Sequence, residues 1–151
     1  MKEILLYTDG GCRGNGQSEE NVGGIGGILI YPAKEIEKEY SKGYKNTTNN
    51  QMELLAVIEG LKMLKEPCIV QIFCDSAYVV NAFEKKWVDG WKQKGWSRGK
   101  AGALKNRELW MTLDELVNKH EVRFVKVKGH GNDEYNNRAD ALVNRAMDEL
   151  V

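Results

Sequence analysis

The sequence predicts an α/β fold in which helices pack against a mixed β-sheet. Short β-favouring runs and amphipathic stretches alternate along the 151 residues, in the order β-β-β-α-β-α-α-β-α. The run at residues 68–74 is almost continuously apolar, as expected for a strand that is buried on both faces. A chain of this length is expected to form a single domain over residues 1–151, built around one core.

The first three predicted elements are strands. An apolar run at residues 3–8 predicts the first strand, and the glycines and polar residues at 10–24 predict a loop after it. The second strand is expected over residues 25–31 and a third, exposed strand over residues 35–45. The glycines at 23–27 lead into a strand and are therefore expected to allow either a close approach of another part of the backbone or a bulge.

The later elements are mainly helices. Asn50 is expected to cap a helix whose apolar stripe runs to Leu64, and Ser76 is expected to cap a second helix that extends through Phe83. A helix, a strand, a polar loop and a final helix follow, at residues 105–118, 122–128, 129–137 and 139–150.

The charged residues are unevenly distributed. The whole chain holds 22 basic and 22 acidic side chains, so its formal net charge is zero. Residues 84–107, which we call the basic arm, hold eight basic side chains and only two acidic ones, Glu84 and Asp89. The arm therefore carries +6 and the rest of the chain −6. Such a patch on an otherwise acidic chain is typical of a surface that binds a polyanion.

The composition is that of a globular protein, with 42% hydrophobic and 29% charged residues. No apolar run is long enough to cross a bilayer, and the N-terminus lacks the pattern of a signal peptide. The spacing of Cys12, Cys68 and Cys74 does not indicate a disulfide framework or a zinc site. We therefore expect a cytoplasmic monomer without a membrane partner.

Four acidic side chains have sequence contexts that would bring them together. Asp9 and Asp75 each end an apolar strand, and the carboxyl ends of parallel neighbours meet at one edge of a sheet. Glu53 and Asp140 each continue the apolar stripe of a helix near its N-terminal end, so both should point inward. Crowded carboxylates require a counter-charge, and an all-oxygen ligand set favours Mg²⁺ or Mn²⁺.

Each of these acids also has an ordinary structural explanation. A single acid at a helix N-terminus usually stabilises the helix dipole, and a single aspartate after a strand is usually a turn residue. Periodicity alone therefore leaves the structural and the metal-binding interpretations open.

Five segments resemble, in order and spacing, the motifs of type 1 ribonucleases H. They are residues 7–15 (Tyr-Thr-Asp-Gly-Gly-Cys-Arg-Gly-Asn), 47–54 (Thr-Thr-Asn-Asn-Gln-Met-Glu-Leu), 74–76 (Cys-Asp-Ser), 127–130 (Val-Lys-Gly-His) and 136–140 (Asn-Asn-Arg-Ala-Asp). One such motif is weak evidence, but five in order across nearly the whole chain are specific. The resemblance implies a ribonuclease H-like α/β fold, with a five-stranded mixed sheet flanked by helices and a basic protrusion.

The resemblance also implies an activity. Members of this family are endonucleases that hydrolyse the RNA strand of RNA–DNA hybrids with two metal ions, leaving 5′-phosphate and 3′-hydroxyl ends. The implied cofactor is Mg²⁺, with Mn²⁺ as a substitute. The implied metal ligands are Asp9, Glu53, Asp75 and Asp140, and His130 matches a loop histidine that aids proton transfer or product departure.

Two surfaces for the hybrid follow from the same resemblance. The first lies along the minor groove, where the 2′-hydroxyl distinguishes RNA from DNA. Its implied members are Cys12, Arg13, Asn15, Asn49, Asn50 and Gln51. The second is the basic arm, with the implied members Lys85, Lys86, Trp87, Lys92 and Lys94. The alternatives are that Asn49 and Asn50 only cap a helix, and that Trp87 and Trp91, four residues apart, only pack on one helix face.

Two other functions are compatible with this fold. A non-catalytic hybrid-binding protein should lack one of the four acids, whereas all four are present. A Holliday-junction resolvase or an integrase core should lack the basic arm together with the Thr-Asn-Asn-x-Met-Glu run. The chain departs from the family pattern in its longer Gly16–Gly23 loop and at Ala77, where a glutamine is common, so one substrate contact is expected to be missing.

Overall fold

The computed structural model describes residues 1–14, 21–128, 131 and 133–150. The strands of this part form one five-stranded mixed sheet in the order β3-β2-β1-β4-β5. Their bounds are β1 Lys2–Arg13, β2 Val22–Tyr31, β3 Ile36–Lys45, β4 Cys68–Cys74 and β5 Glu121–Lys126. The first three strands are antiparallel, and β4 and β5 run parallel to β1. The expected five-stranded mixed sheet is confirmed.

Helices cover both faces of the sheet. Their bounds are α1 Asn49–Lys62, α2 Ala77–Glu84, α3 Trp87–Gln93, α4 Arg107–Val117 and α5 Glu134–Asp148. On one face, α1, α2 and α4 enclose the larger apolar core, in which the Trp110 side chain is fully buried. On the other face, α5 packs Leu142 against Tyr7, Ile28 and Ile30 of β1 and β2. Among the described residues, no helix combines the length and apolarity needed to span a membrane.

Strand β1 is longer than its apolar run indicates. The run ends at Thr8, but pairing with β2 continues through Asp9↔Gly26 as far as Arg13↔Val22. Backbone hydrogen bonds to β2 therefore keep residues 9–13 extended, although the amino acids at these positions do not favour a strand. The loop predicted over residues 10–24 is wrong at both ends, since residues 10–13 and 22–24 lie in strands.

Two helices begin elsewhere than predicted. The cap of α1 is Thr48, whose hydroxyl accepts from the backbone N–H of Gln51 at 3.1 Å, so the prediction of Asn50 as the cap is wrong. Helix α5 begins at Glu134, because Asp133 accepts from the backbone N–H groups of Tyr135 and Asn136. The polar loop predicted to end at residue 137 is therefore shorter. The cap at Ser76 is confirmed.

Glycines allow α5 to lie directly on the backbone of β2 and β3. A Cβ atom added to Gly24, Gly26 or Gly43 would lie 2.7 or 2.8 Å from a backbone carbonyl oxygen of α5. No real side chain tolerates such a contact without movement of the helix. The expectation that the glycines at 23–27 permit a close backbone approach is confirmed, and this approach sets the position of the helix that carries Asp140.

Candidate active site

Three acidic side chains converge beside the sheet. Asp9 lies in β1, Glu53 in the first turns of α1, and Asp75 directly after β4. One carboxylate oxygen from each lies within 4.8 Å of the other two. Asp9 is buried, and Glu53 and Asp75 are half-buried. The structure therefore brings together three of the four acids that the sequence singles out, from three separate elements.

The register of the parallel strands places the two aspartates together. Tyr7 of β1 is paired with Phe73 of β4, and this is the last pair of that ladder. Two residues further along each chain stand Asp9 and Asp75. Both aspartates therefore stand just beyond the point where the β1–β4 ladder ends, side by side at the same edge of the sheet.

Close packing of α1 on β1 brings Glu53 to the aspartates. A Cβ atom on Gly10 would lie 2.4 Å from both the carbonyl carbon and the oxygen of Met52, and 2.7 Å from the backbone nitrogen of Glu53. Only a residue without a side chain allows this approach. The glycine beside Asp9 therefore fixes the distance between the strand and the helix that supply two of the acids.

Asp140 reaches the site from the opposite helix. Its side chain lies near that of Asp9 and contributes to the raised pKa of Asp9. Asn144, one turn further along α5, donates from Nδ2 to the backbone oxygen of Asp140 at 3.1 Å and to its Oδ2 at 3.5 Å. Asp140 therefore borders the group of three through Asp9. Asn144 was not among the predicted site residues, although its spacing of four residues from Asp140 could have indicated it.

Burial and mutual repulsion dominate the electrostatics of the site. Burial, followed by the charge of Asp75 and the hydrogen bond with Asp140, raises the pKa of Asp9 to about 8, although the Gly10 N–H opposes this shift. Burial and the charges of Asp9 and Asp75 raise the pKa of Glu53 to about 9. Within the described part of the chain, no cationic side chain contributes to either shift, so Asp9 and Glu53 have no neutralising partner there.

A divalent cation fits this arrangement. The Oε2 atom of Glu53 is buried and has no hydrogen-bond partner among the residues that the structure describes, which is an unfavourable state for a carboxylate oxygen. A bound cation would satisfy this oxygen and neutralise the neighbouring charges. The donors are all oxygen atoms, which Mg²⁺ and Mn²⁺ prefer to softer nitrogen or sulfur ligands.

The raised pKa values predict how the metal-free protein responds to pH. Between about pH 4 and pH 8 the folded chain binds more protons at Asp9 than the unfolded chain does, so the free energy of unfolding falls as the pH rises through this window. Asp9→Asn removes the buried charge. In EDTA at pH 8 it should raise the melting temperature by about 3 °C or more, with a smaller gain at pH 4. Thermal melts of both proteins at the two pH values test this.

The matched control for that experiment is Asp89→Asn, because Asp89 is an exposed aspartate on α3. Its melting temperature should follow that of the parent protein at both pH values. A melting temperature of Asp9→Asn at pH 8 that is equal to or below that of the parent protein would contradict the electrostatic account.

The predicted minor-groove residues lie next to the acids. The backbone N–H of Cys12, near the end of β1, donates to Oδ1 of Asn49 at 2.8 Å and so ties the strand to the start of α1. Asn49 and Asn50 are exposed, and Gln51 is half-buried. Because Thr48 caps the helix, neither asparagine side chain is needed as the cap, and the alternative that they serve only as caps loses its support.

Arg13 is engaged by α5. Its guanidinium donates to Oδ1 of Asp148 at 2.6 Å and to Oδ1 of Asn144 at 3.1 Å. Both members of the ion pair are exposed, so this contact contributes little to stability. The predicted contact of Arg13 with substrate therefore requires the side chain to exchange partners or to use its remaining N–H groups.

The start of the basic arm presents an exposed aromatic ring beside lysines. Trp87 begins α3 with 43% of its surface exposed, and Nζ of Lys85 lies 5.6 Å from the centroid of its ring. Lys85, Lys86 and Lys94 are exposed as well. Since 43% of the surface of Trp87 is exposed, part of the ring is available at the surface, and the packing interpretation stays a prediction for this residue.

Other residues of the arm attach it to the core. The ring of Trp91 packs 5.1 Å from that of buried Trp110, so the packing interpretation is confirmed for Trp91. Lys92 forms a 3.0 Å ion pair with Asp114 of α4, whose side chain is only 12% exposed. Lys92 thus has a structural partner that its predicted role as a phosphate contact did not anticipate.

Two predicted site residues, His130 and Asn15, fall outside the described part of the chain. Ala77, the position that departs from the family pattern, is the first residue of α2 and is exposed.

Comparison with known proteins identifies the family. The family model described as RNase H matches residues 1–148. A protein of Clostridium botulinum (strain Hall) named ribonuclease H is 54% identical over 150 residues, which cover 99% of each chain.

Two solved structures extend the comparison. LC9-RNase H1, described as a type 1 RNase H with the type 2 active-site motif, matches with a TM-score of 0.87 and 32% identity, over 100% of this chain and 74% of its own. LC11-RNase H1, solved in complex with an RNA/DNA hybrid, matches with a TM-score of 0.67 and 25% identity, over 97% of this chain and 98% of its own. The sequence motifs, the sheet topology and these relatives agree, and the chain belongs to the ribonuclease H family, in its type 1 branch.

Proposed function

We propose that this protein is an endonuclease that hydrolyses the RNA strand of RNA–DNA hybrids with divalent cations and leaves 5′-phosphate and 3′-hydroxyl ends. The observation that carries the proposal is the convergence of Asp9, Glu53 and Asp75 within 4.8 Å, in a site where burial and neighbouring acids raise the pKa values of Asp9 and Glu53. A hybrid as substrate is supported by the related LC11-RNase H1, whose solved complex contains one.

Asp9, Glu53 and Asp75 would hold Mg²⁺, or Mn²⁺ in its place, and Asp140 would complete the ligand set. With two ions bound, the site can generate a nucleophilic hydroxide from water at neutral pH and stabilise the 3′-oxygen that leaves. The protein orients the ligands: Gly10 holds α1 against β1, and Asn144 donates to Asp140. No covalent nucleophile is required.

Recognition of RNA falls to the surface formed by the end of β1 and the start of α1. Amide side chains suit this role, because each offers both a donor and an acceptor to a 2′-hydroxyl group. Cys12, Asn49, Asn50 and Gln51 lie on this surface, and Asn15 is proposed to join them by resemblance to the family. His130 is proposed, on the same ground, to aid proton transfer or product departure.

One chain suffices for this chemistry. Residues 1–151 are proposed to act as a single catalytic domain, because all four carboxylates come from the same sheet and the helices that cover it. A monomer is proposed for the same reason, since no acid is left to be supplied by a second copy. The cytoplasmic location stays a prediction.

The test of the proposed function compares three duplexes. Labelled RNA–DNA, RNA–RNA and DNA–DNA duplexes of one sequence are incubated with the protein, with Mg²⁺ or with EDTA, and separated on a denaturing gel. Cleavage is expected only in the RNA strand of the hybrid and only with Mg²⁺. Labelling each end in turn identifies the termini. Cleavage of all three duplexes, or equal cleavage in EDTA, would overturn the proposal.

The basic arm should contribute affinity. Changing Lys85, Lys86 and Lys94 to Gln should raise KM at low salt with little change in kcat, because phosphate contacts away from the cut stabilise the ground state and transition state equally. Each lost contact should reduce the slope of log K against log salt by about 0.9, with duplex DNA as a proxy. Lys92 is excluded from this set because its loss would leave Asp114 without its ion-pair partner.

A control triple variant carries the same change in charge. Lys34, Lys65 and Lys119 are exposed and lie in the connections that join the strands and α-helices near the opposite end of the sheet, Lys34 in a short 3-10 helix. Their replacement by Gln should leave KM and its salt dependence close to those of the parent protein. Equal effects of the two triple variants on KM would show that the net charge of the protein, and not the position of the basic arm, determines the affinity for the hybrid.

A further inference from the structure

A buried asparagine joins the start of β2 to the turn that precedes α1. Asn21 is only 8% exposed, and its side chain forms two hydrogen bonds with the backbone of Thr47. Its Nδ2 donates to the Thr47 oxygen at 2.7 Å, and its Oδ1 accepts from the Thr47 N–H at 2.9 Å. The two bonds satisfy both backbone groups of a residue that is itself 7% exposed.

This pairing extends the β2–β3 ladder past its last strand pair. Val22 is paired with Lys45, and the backbone N–H of Asn46 then donates to the Asn21 oxygen at 2.9 Å. Asn46 takes a left-handed conformation with a φ of 56°, which turns the chain out of β3 towards α1. Three hydrogen bonds from one residue thus hold the turn in place.

The turn also contacts Gln51, a candidate substrate-binding residue. The hydroxyl of Thr47 donates to Oε1 of Gln51 at 2.9 Å. Because the amide oxygen is engaged, the amide nitrogen of Gln51 is the end that remains to donate. Acceptors on a hybrid minor groove, such as a 2′-hydroxyl or a base O2 or N3 atom, match such a donor.

Gly23 of β2 also packs closely against Thr47. A Cβ atom on Gly23 would lie 2.3 Å from Cγ2 of Thr47 and 2.9 Å from Cγ of Met52. The start of β2 therefore contacts Thr47 twice, through the Asn21 amide and through the bare backbone of Gly23. Both contacts act on the residue that orients Gln51.

We propose that Asn21 is a positioning residue for substrate recognition: through Thr47 it fixes the amide of Gln51 so that its N–H groups face the hybrid. This inference rests on the proposed function and adds a residue that lies outside the five family motifs. A purely structural asparagine would stabilise the fold equally well but would have no influence on KM in the folded protein.

The experiment measures kcat and KM for hybrid cleavage at 25 °C in Asn21→Ala, Gln51→Ala and the double variant. Each single change should raise KM roughly tenfold, which corresponds to about 1.4 kcal/mol, with kcat within about threefold of the parent. Because both changes remove the same substrate contact, the double variant should raise KM far less than the product of the two single effects.

Thr47→Val provides a second route to the same answer. Valine keeps the methyl group that packs on Gly23 and both backbone bonds to Asn21, and it removes only the hydroxyl that orients Gln51. Its KM should rise in the same way. If Asn21→Ala fails to fold, this variant decides: an unchanged KM would overturn the inference.

Tyr40→Phe controls for loss of stability alone. It removes the hydroxyl that donates to the backbone oxygen of Ala56 at 2.6 Å, further along α1. It should lower the melting temperature without altering KM. An unchanged KM in Asn21→Ala would overturn the inference, and so would a KM of the double variant that equals the product of the two single effects. Either result would leave the proposed function intact. A parent protein that does not cleave the hybrid would overturn the proposed function and the inference with it.

Discussion

Asp75→Asn should reduce kcat for hybrid cleavage by about 10³-fold or more, while the affinity for the hybrid changes little. Asparagine keeps the shape of the side chain and removes a charge that the cations need. Asp75 is one of three acids whose oxygens lie within 4.8 Å, so a neutral side chain there weakens the whole ligand set. Affinity depends mainly on the basic arm and the minor-groove surface, which this change leaves intact.

Single-turnover cleavage and filter binding of labelled hybrid measure these two effects separately. Glu115→Gln is the control for removal of one negative charge, because Glu115 is exposed on α4. It should keep the activity of the parent protein. Near-normal turnover of Asp75→Asn in Mg²⁺ would remove Asp75 from the metal site.

Gly10→Ala should damage both stability and activity. The added methyl group would lie 2.4 Å from the backbone of Met52, so α1 must move away from β1. Overpacking of this kind destabilises a fold by about 1–3 kcal/mol. Because Glu53 follows Met52 directly, it moves with the helix, and a shift of about 1 Å in a catalytic group can reduce kcat roughly 10²-fold. Chemical denaturation and steady-state kinetics measure the two effects.

Gly90→Ala is a matched control for this substitution. Gly90 lies within α3, and a Cβ atom there would meet no atom of another described residue within 4 Å. Alanine favours a helix over glycine, so this variant should be as stable as the parent protein or more so, with the same kcat. An equal loss of activity in both variants would show that α1 does not depend on its contact with Gly10.

The sequence predicts the fold and the site acids well because both depend on local patterns. Continuous apolar runs mark the central strands, and the helical stripe that includes Glu53 places this acid on the inward face of α1. The register that aligns Asp9 with Asp75 requires only that β1 and β4 be parallel neighbours, as the helical crossover between them indicated. Periodicity and strand order therefore predict that Asp9, Glu53 and Asp75 lie close together, whereas the resemblance to the family is what predicts that they bind metal.

Tertiary partners account for what the sequence does not predict. Thr48 caps α1 because its backbone is extended and its hydroxyl reaches the Gln51 N–H. Residues 47–50 are all polar, so the sequence does not show which of them is the cap. The partner of Lys92 is Asp114, which is 22 residues away and meets it only when α3 packs beside α4. Likewise, the partial exposure of Trp87 and the packing of Trp91 against the core depend on which side of α3 the Trp110 ring occupies.

The contact between α5 and the glycines of β2 and β3 restricts how this enzyme can be engineered for heat resistance. Replacing glycine by alanine commonly stabilises a protein, because it restricts the unfolded chain. At Gly24, Gly26 and Gly43 the added methyl group would meet carbonyl oxygens of α5 and displace the helix that carries Asp140. A consensus or library design should hold these three positions constant and seek its gains at sites with free space, such as Gly90.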